Sequence, residues 1–187
     1  MAKSNRMTAP APKSPEKILQ RVLLVAAIDG WSLVGIAGAG VLLTLAFGDW
    51  LGTGIGLLVL AAGLSELRGR RRLRRSDPAG MKVLIRAQLF LLGVILVYCV
   101  SRLGSFDGDT ALANLTPEME VVLNEAGLAR ADVLPLVRMA FYATYGTVAV
   151  VSVVFQGGLA LYYRSRTGPV TAALTTPPAN NSSLRPE

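Results

Sequence analysis

The chain has 187 residues, of which 52% are hydrophobic and 17% charged, with a formal net charge of +7 at pH 7. That apolar share is above the level of an ordinary soluble domain. His is absent and Cys99 is the single cysteine, which excludes intramolecular disulfides, His-ligated haem or zinc, and Ser-His-Asp or Cys-His catalysis within the chain.

Residues 1–17 are polar and carry three Pro, so they are expected to form a disordered cytoplasmic N-terminus. The apolar run that follows is longer than a signal-peptide h-region, and it is expected to stay as a signal anchor. The first stretch, Val22 to Phe47, has 26 residues, enough to cross the membrane with some tilt. Gly48-Asp49 makes a turn, and Trp50 to Leu67 forms a second stretch of 18 residues. So short a connection makes the first two helices antiparallel neighbours. The run Arg68-Gly69-Arg70-Arg71-Arg72-Leu73-Arg74-Arg75 then leads, as a basic hairpin, into a third stretch, Val83 to Leu103. Cys99 lies inside this stretch, where it serves as a small hydrophobe.

Between Gly104 and Pro135 lies the one sizeable extramembrane piece. Thr116 as N-cap, Pro117 at the first helical position and acids in the first turn predict a helix there. Met119, Val122, Leu123 and Ala126 continue its apolar spacing, and Gly127 fits the stop. Asp107-Gly108-Asp109 has too few ligands for a calcium loop and reads as a polar turn. Asp132 is the expected N-cap of the fourth stretch, about Leu136 to Tyr163. Residues 167–187, rich in Pro, Thr and Asn, are expected to be a disordered cytoplasmic tail.

The runs are continuous rather than alternating, which favours helices over a barrel. The predicted fold is therefore an all-α integral membrane protein. It is a four-transmembrane-helix bundle over 18–166, with spans at about 22–47, 50–67, 83–103 and 136–163 and a short amphipathic helix in the outer loop between spans three and four.

Sixteen of the nineteen Lys and Arg residues fall before span one, between spans two and three, or after span four. The other side has only Arg102, Arg130 and Arg138, beside Asp49, Asp107, Asp109, Glu118, Glu120, Glu125 and Asp132. The positive-inside rule then puts both termini in the cytoplasm, and the expected setting is the inner membrane of a bacterium. Trp50, Tyr142 and Tyr145 read as anchors at the outer interface, and Tyr162-Tyr163 as anchors at the inner one.

Asp29 is the sharpest single residue. It lies eight residues beyond Arg21, about 12 Å along a helix. A carboxylate that deep in a span costs ~3 kcal/mol on insertion scales and marks a functional position by default. Gln156 lies eight residues before Arg164, and Arg86 and Gln88 lie four and six beyond Lys82. Matching these depths predicts a polar cluster of Asp29, Arg86, Gln88 and Gln156, with Ser32 nearby. In it Asp29 and Arg86 neutralise each other, and the amides complete the hydrogen bonding. Such a cluster serves either as glue between helices or as a proton, ligand or transport site. Ala26-Gly30, Gly35-Ala39, Gly52-Gly56 and Gly157-Gly158 add small-residue patches for close helix crossing, within the chain or between copies.

Arg68, Arg70, Arg71, Arg72, Arg74 and Arg75 are expected to set topology and to contact anionic lipid headgroups, at ~1 kcal/mol per basic residue. No aromatic interleaving accompanies them, so a nucleic-acid partner is not expected. No cofactor or metal is expected either. Four spans with a carboxylate in the first resemble small multidrug-resistance transporters in layout. The loop from Gly104 to Pro135 is longer than theirs, and Asp29-Gly30-Trp31-Ser32 departs from the motif around their Glu, so no residue roles carry over. The expected function is that of a non-enzymatic structural or accessory subunit, partnered by the bilayer and by further copies or a larger membrane complex. The alternative is a small transporter or proton-coupled carrier using the membrane-embedded Asp29.

Overall fold

The computed structural model describes residues 14–108, 110, 116–125, 127 and 130–175. Residues 1–13 and 176–187, expected to be disordered, lie outside the described residues, as does Asp109. All the elements are helical: α1 (Pro15–Ala46), α2 (Trp50–Arg74), α3 (Ala79–Gly104), α4 (Pro117–Glu125) and α5 (Arg130–Thr175). Four of them, α1, α2, α3 and α5, are long and apolar enough to cross a membrane.

Local chemistry explains most of the boundaries. Pro15 opens α1 at a position where its missing N–H costs nothing. Gly48, at φ 70°, turns the chain, and the Asp49 side chain accepts from Gly52 N at 2.9 Å to cap α2. Thr53 Oγ1 donates to Thr44 Oγ1 at 3.0 Å across this turn, tying the two helix ends together. After α2 the chain reverses at Ser76, φ 60°, and Asp77 Oδ1 accepts from Ala79 N at 2.9 Å to start α3. Thr116 Oγ1 accepts from Met119 N at the start of α4, and Gly127 has φ 69° just beyond its end.

Four boundaries differ from the sequence expectation. Pro15, Glu16 and Lys17, expected within the disordered N-terminus, already belong to α1. The Arg run is not a loop: α2 continues through it to Arg74, leaving a short turn before α3. Arg is a good helix former, and Gly69 and Leu73 on one face of the run are buried in the core. At the start of α5, Arg130 precedes Asp132, so Asp132 lies inside the first turn and Pro135 inside the helix. At the other end α5 runs on to Thr175, through nine residues expected to be disordered. The reason is packing: Val170 is fully buried with Val22, Leu73 and Met81, and Leu174 lies against the same cluster. Val170 and Leu174, four residues apart, share a helix face, so this segment does have an apolar stripe to bury.

The spanning helices form a ring in which α1 packs on α2, α2 on α3, α3 on α5 and α5 back on α1. The start of α1, the α2–α3 turn and the end of α5 thus share one end of the bundle. At this basic end the largest buried cluster forms, from Val22, Ala26, Leu73, Met81, Leu84, Tyr163 and Val170. Backbones approach closely here. A Cβ on Gly80 would lie 2.6 Å from the Gly69 carbonyl oxygen, and one on Gly63 would lie 2.9 Å from Leu33 Cβ. Of the predicted small-residue patches, Gly30 and Gly56 face neighbouring helices, whereas Gly35, Gly157 and Gly158 meet open space. At the opposite end, edge-on rings of Tyr98 and Tyr145 and of Phe106 and Phe141 close α3 against α5 and the segment before it.

Candidate functional site

One polar layer crosses the bundle two turns or more inside the basic end. Asp29 comes from α1, Glu66 from α2, Gln88 from α3 and Tyr163 from α5. Glu66 and Tyr163 are 0% exposed and Gln88 is 1% exposed, while Asp29 is half-buried. Each is presented by a buried helix face. Ala62, Glu66, Gly69 and Leu73 repeat at helical spacing on α2, and Leu84, Gln88 and Leu91 do so on α3.

Gln88 is the hub. Its Nε2 donates to Asp29 Oδ2 at 2.5 Å and to Glu66 Oε1 at 3.1 Å. Tyr163 OH donates to the same Glu66 oxygen at 2.8 Å. The Asp29–Gln88 bond joins α1 to α3 across one diagonal of the ring, and the Glu66–Tyr163 bond joins α2 to α5 across the other. Two carboxyl groups thus share one amide donor. Meanwhile Glu66 Oε2 and Gln88 Oε1 are buried without a hydrogen-bond partner among the described residues. Both orphans are acceptors, so the layer has more acceptor capacity than donors.

No family model, curated protein or solved structure matches this chain. The site therefore rests on its own geometry.

Of the four residues predicted to converge, Asp29 and Gln88 do meet. Arg86 does not join them: it is exposed, and no ion pair or side-chain hydrogen bond involves it among the described residues. It stands two residues from Gln88, and positions that close in a helix cannot face the same way. Gln156 is buried but lies seven residues from Tyr163, about 10 Å further along α5. Its Oε1 has no partner among the described residues. The depth match failed for α5 because Arg164 does not mark its end. Val170 packs level with Val22, which brings Tyr163, rather than Gln156, to the height of Asp29.

Glu66 and the buried role of Tyr163 were missed. Glu66 is the only acidic residue between Trp50 and Leu67, and that isolation was the available signal. Tyr163, expected as an interfacial anchor, is instead enclosed with its hydroxyl committed to Glu66. Five of the six Arg lie on the last turns of α2, and Arg75 is its C-cap. Arg68, Arg71, Arg72, Arg74 and Arg75 are exposed, whereas Arg70 is half-buried and its Nε donates to the Leu23 carbonyl at 3.2 Å. That bond fixes the Arg run one helical turn from Glu66. No cluster of three or more acids, Cys or His able to hold a metal occurs among the described residues.

Proposed function

We propose that this chain is a multi-pass inner-membrane protein whose bundle binds and releases a proton at the Asp29–Glu66 pair, as in a small proton-coupled carrier. The observation that carries the reading is the single Gln88 amide nitrogen in hydrogen-bond reach of both carboxyls, with no cation paired to either among the described residues. Two carboxylates held that close in a buried place repel, and unpaired buried charge is expensive. Placing one proton on the pair removes the repulsion and turns an acceptor into a donor, which answers the surplus of acceptors at Glu66 Oε2 and Gln88 Oε1.

Proton release then has a structural consequence. With both groups ionised, Gln88 and Tyr163 are the only donors that reach the pair among the described residues, and both sit on the α3–α5 side of the ring. Separation of α1 from α2, or entry of a cation, relieves the charge. Either event couples proton occupancy to helix position. The charge count supports a cytoplasmic placement of the basic end, with both termini there, and α4 on the outer side as an amphipathic cap.

A pH step applied to the protein on a solid-supported membrane tests the reading. Wild type is expected to give a transient charge displacement that Glu66→Gln and Asp29→Asn each abolish. A purely structural or accessory subunit predicts no displacement in any of the three.

A further inference from the structure

The exposed Arg residues of α2 are not spread evenly around the helix. Leu64, Leu67, Arg68, Arg71 and Arg74 follow one another at helical spacing, so a single face passes from apolar to strongly basic. Across from it stands Trp31 of α1, 62% exposed. Together these side chains line a cleft of about 470 Å³ between α1 and α2. No acidic residue lines the cleft, and no ion pair neutralises its guanidinium groups among the described residues. Arg70 lines it too, but its Nε is held by the Leu23 carbonyl and helps fix the wall.

An uncompensated cluster of planar, permanently charged donors calls for an anion with several oxygens, and phosphate fits such forks well. The apolar half of the cleft calls for something hydrocarbon attached to that anion. A free phosphate satisfies only the first half, and a neutral lipid only the second.

We propose that this cleft is a binding site for one anionic phospholipid. The phosphate lies among Arg68, Arg71 and Arg74, and an acyl chain runs along Leu64, Leu67 and Trp31. This goes beyond general attraction of a basic segment to a negative surface, because it assigns a face, a stoichiometry and a tail contact. It rests on the membrane-spanning reading but not on the proton site.

Trp31 supplies the probe. The chain has two Trp, so Trp50→Phe leaves Trp31 as the sole indole. That variant of the full chain is reconstituted in phosphatidylcholine vesicles containing a minor fraction of acyl-brominated phosphatidylglycerol or, separately, acyl-brominated phosphatidylcholine. Bromine quenches indole on contact. The site predicts stronger quenching by the phosphatidylglycerol probe, saturating as for a single lipid. Arg71→Gln with Arg74→Gln is expected to weaken that preference by roughly fivefold per guanidinium removed. Arg72→Gln with Arg75→Gln removes as much charge from outside the cleft and is expected to leave most of the preference intact. Equal quenching by the two probes, or equal losses in the two double variants, overturns the site in favour of diffuse attraction. Quenching by neither probe means that Trp31 meets no lipid, and it overturns the membrane reading and the site together.

Discussion

Glu66→Ala is expected to destabilise the bundle by about 3 kcal/mol, whereas Glu66→Gln costs less than about 1 kcal/mol. The contrast follows from what each change leaves behind. Alanine strands the Tyr163 hydroxyl, leaves Gln88 with Asp29 alone, and opens a hole at a fully buried position. Glutamine keeps an oxygen where Glu66 Oε1 accepts two bonds, and it places a donor where Oε2 now has no partner. A protonated Glu66 is the near isostere of that amide; an ionised one is not. Reversible unfolding in mild detergent, followed by circular dichroism, measures both variants. Equal losses would argue against a neutral Glu66.

Val170→Asp is the second large effect, expected at about 3 kcal/mol or more. Val170 is fully buried with Val22, Leu73 and Met81, in a cluster made only of apolar side chains and Tyr163. A carboxylate placed among these apolar side chains must either be neutralised or drive the end of α5 out of the core. Thr175→Asp, on the exposed last residue of the same helix, is expected to stay within about 0.5 kcal/mol of wild type. Limited proteolysis after Arg164 and Arg166 reads the release directly, since both sites become cleavable once the helix detaches. An unchanged digestion pattern in Val170→Asp would show that the C-terminal turns do not depend on this packing.

The four apolar stretches were legible because hydrocarbon-length runs need only counting, and the four long helices contain them but for Phe47, the C-cap of α1. A turn written in local chemistry was legible too: Gly48-Asp49 stands where its backbone preferences put it. What failed was the slide of α5 along α1, and with it the predicted partner from α5. Asp29 was found because a carboxylate in an apolar run is conspicuous, but its partners depend on register. Counting from Arg164 pointed to Gln156, and the packing of Val170 beside Val22 moved the match by seven residues to Tyr163. Glu66 was hidden by position: it sits near the end of a short stretch and beside an Arg run, where an acid passes for part of the polar edge. Continuity of α2 through that run turned the edge into an interior.

The Arg run changes meaning for the same reason. As a loop it would offer charge without direction. As the last turns of a helix it has faces, one bonded to α1 through Arg70 and another lining the cleft beside Trp31. Helical continuity also sets Glu66 eight residues, about 12 Å, from the end of α2 at Arg74.

Infrared difference spectroscopy of the reconstituted protein, recorded across a pH titration, addresses the shared proton most directly. Wild type is expected to show the carbonyl stretch of a protonated carboxylic acid at neutral pH, and Glu66→Gln and Asp29→Asn are each expected to alter or remove it. A wild-type spectrum with only ionised carboxylates at neutral pH, or an acid band untouched by both substitutions, would contradict a proton shared by Asp29 and Glu66.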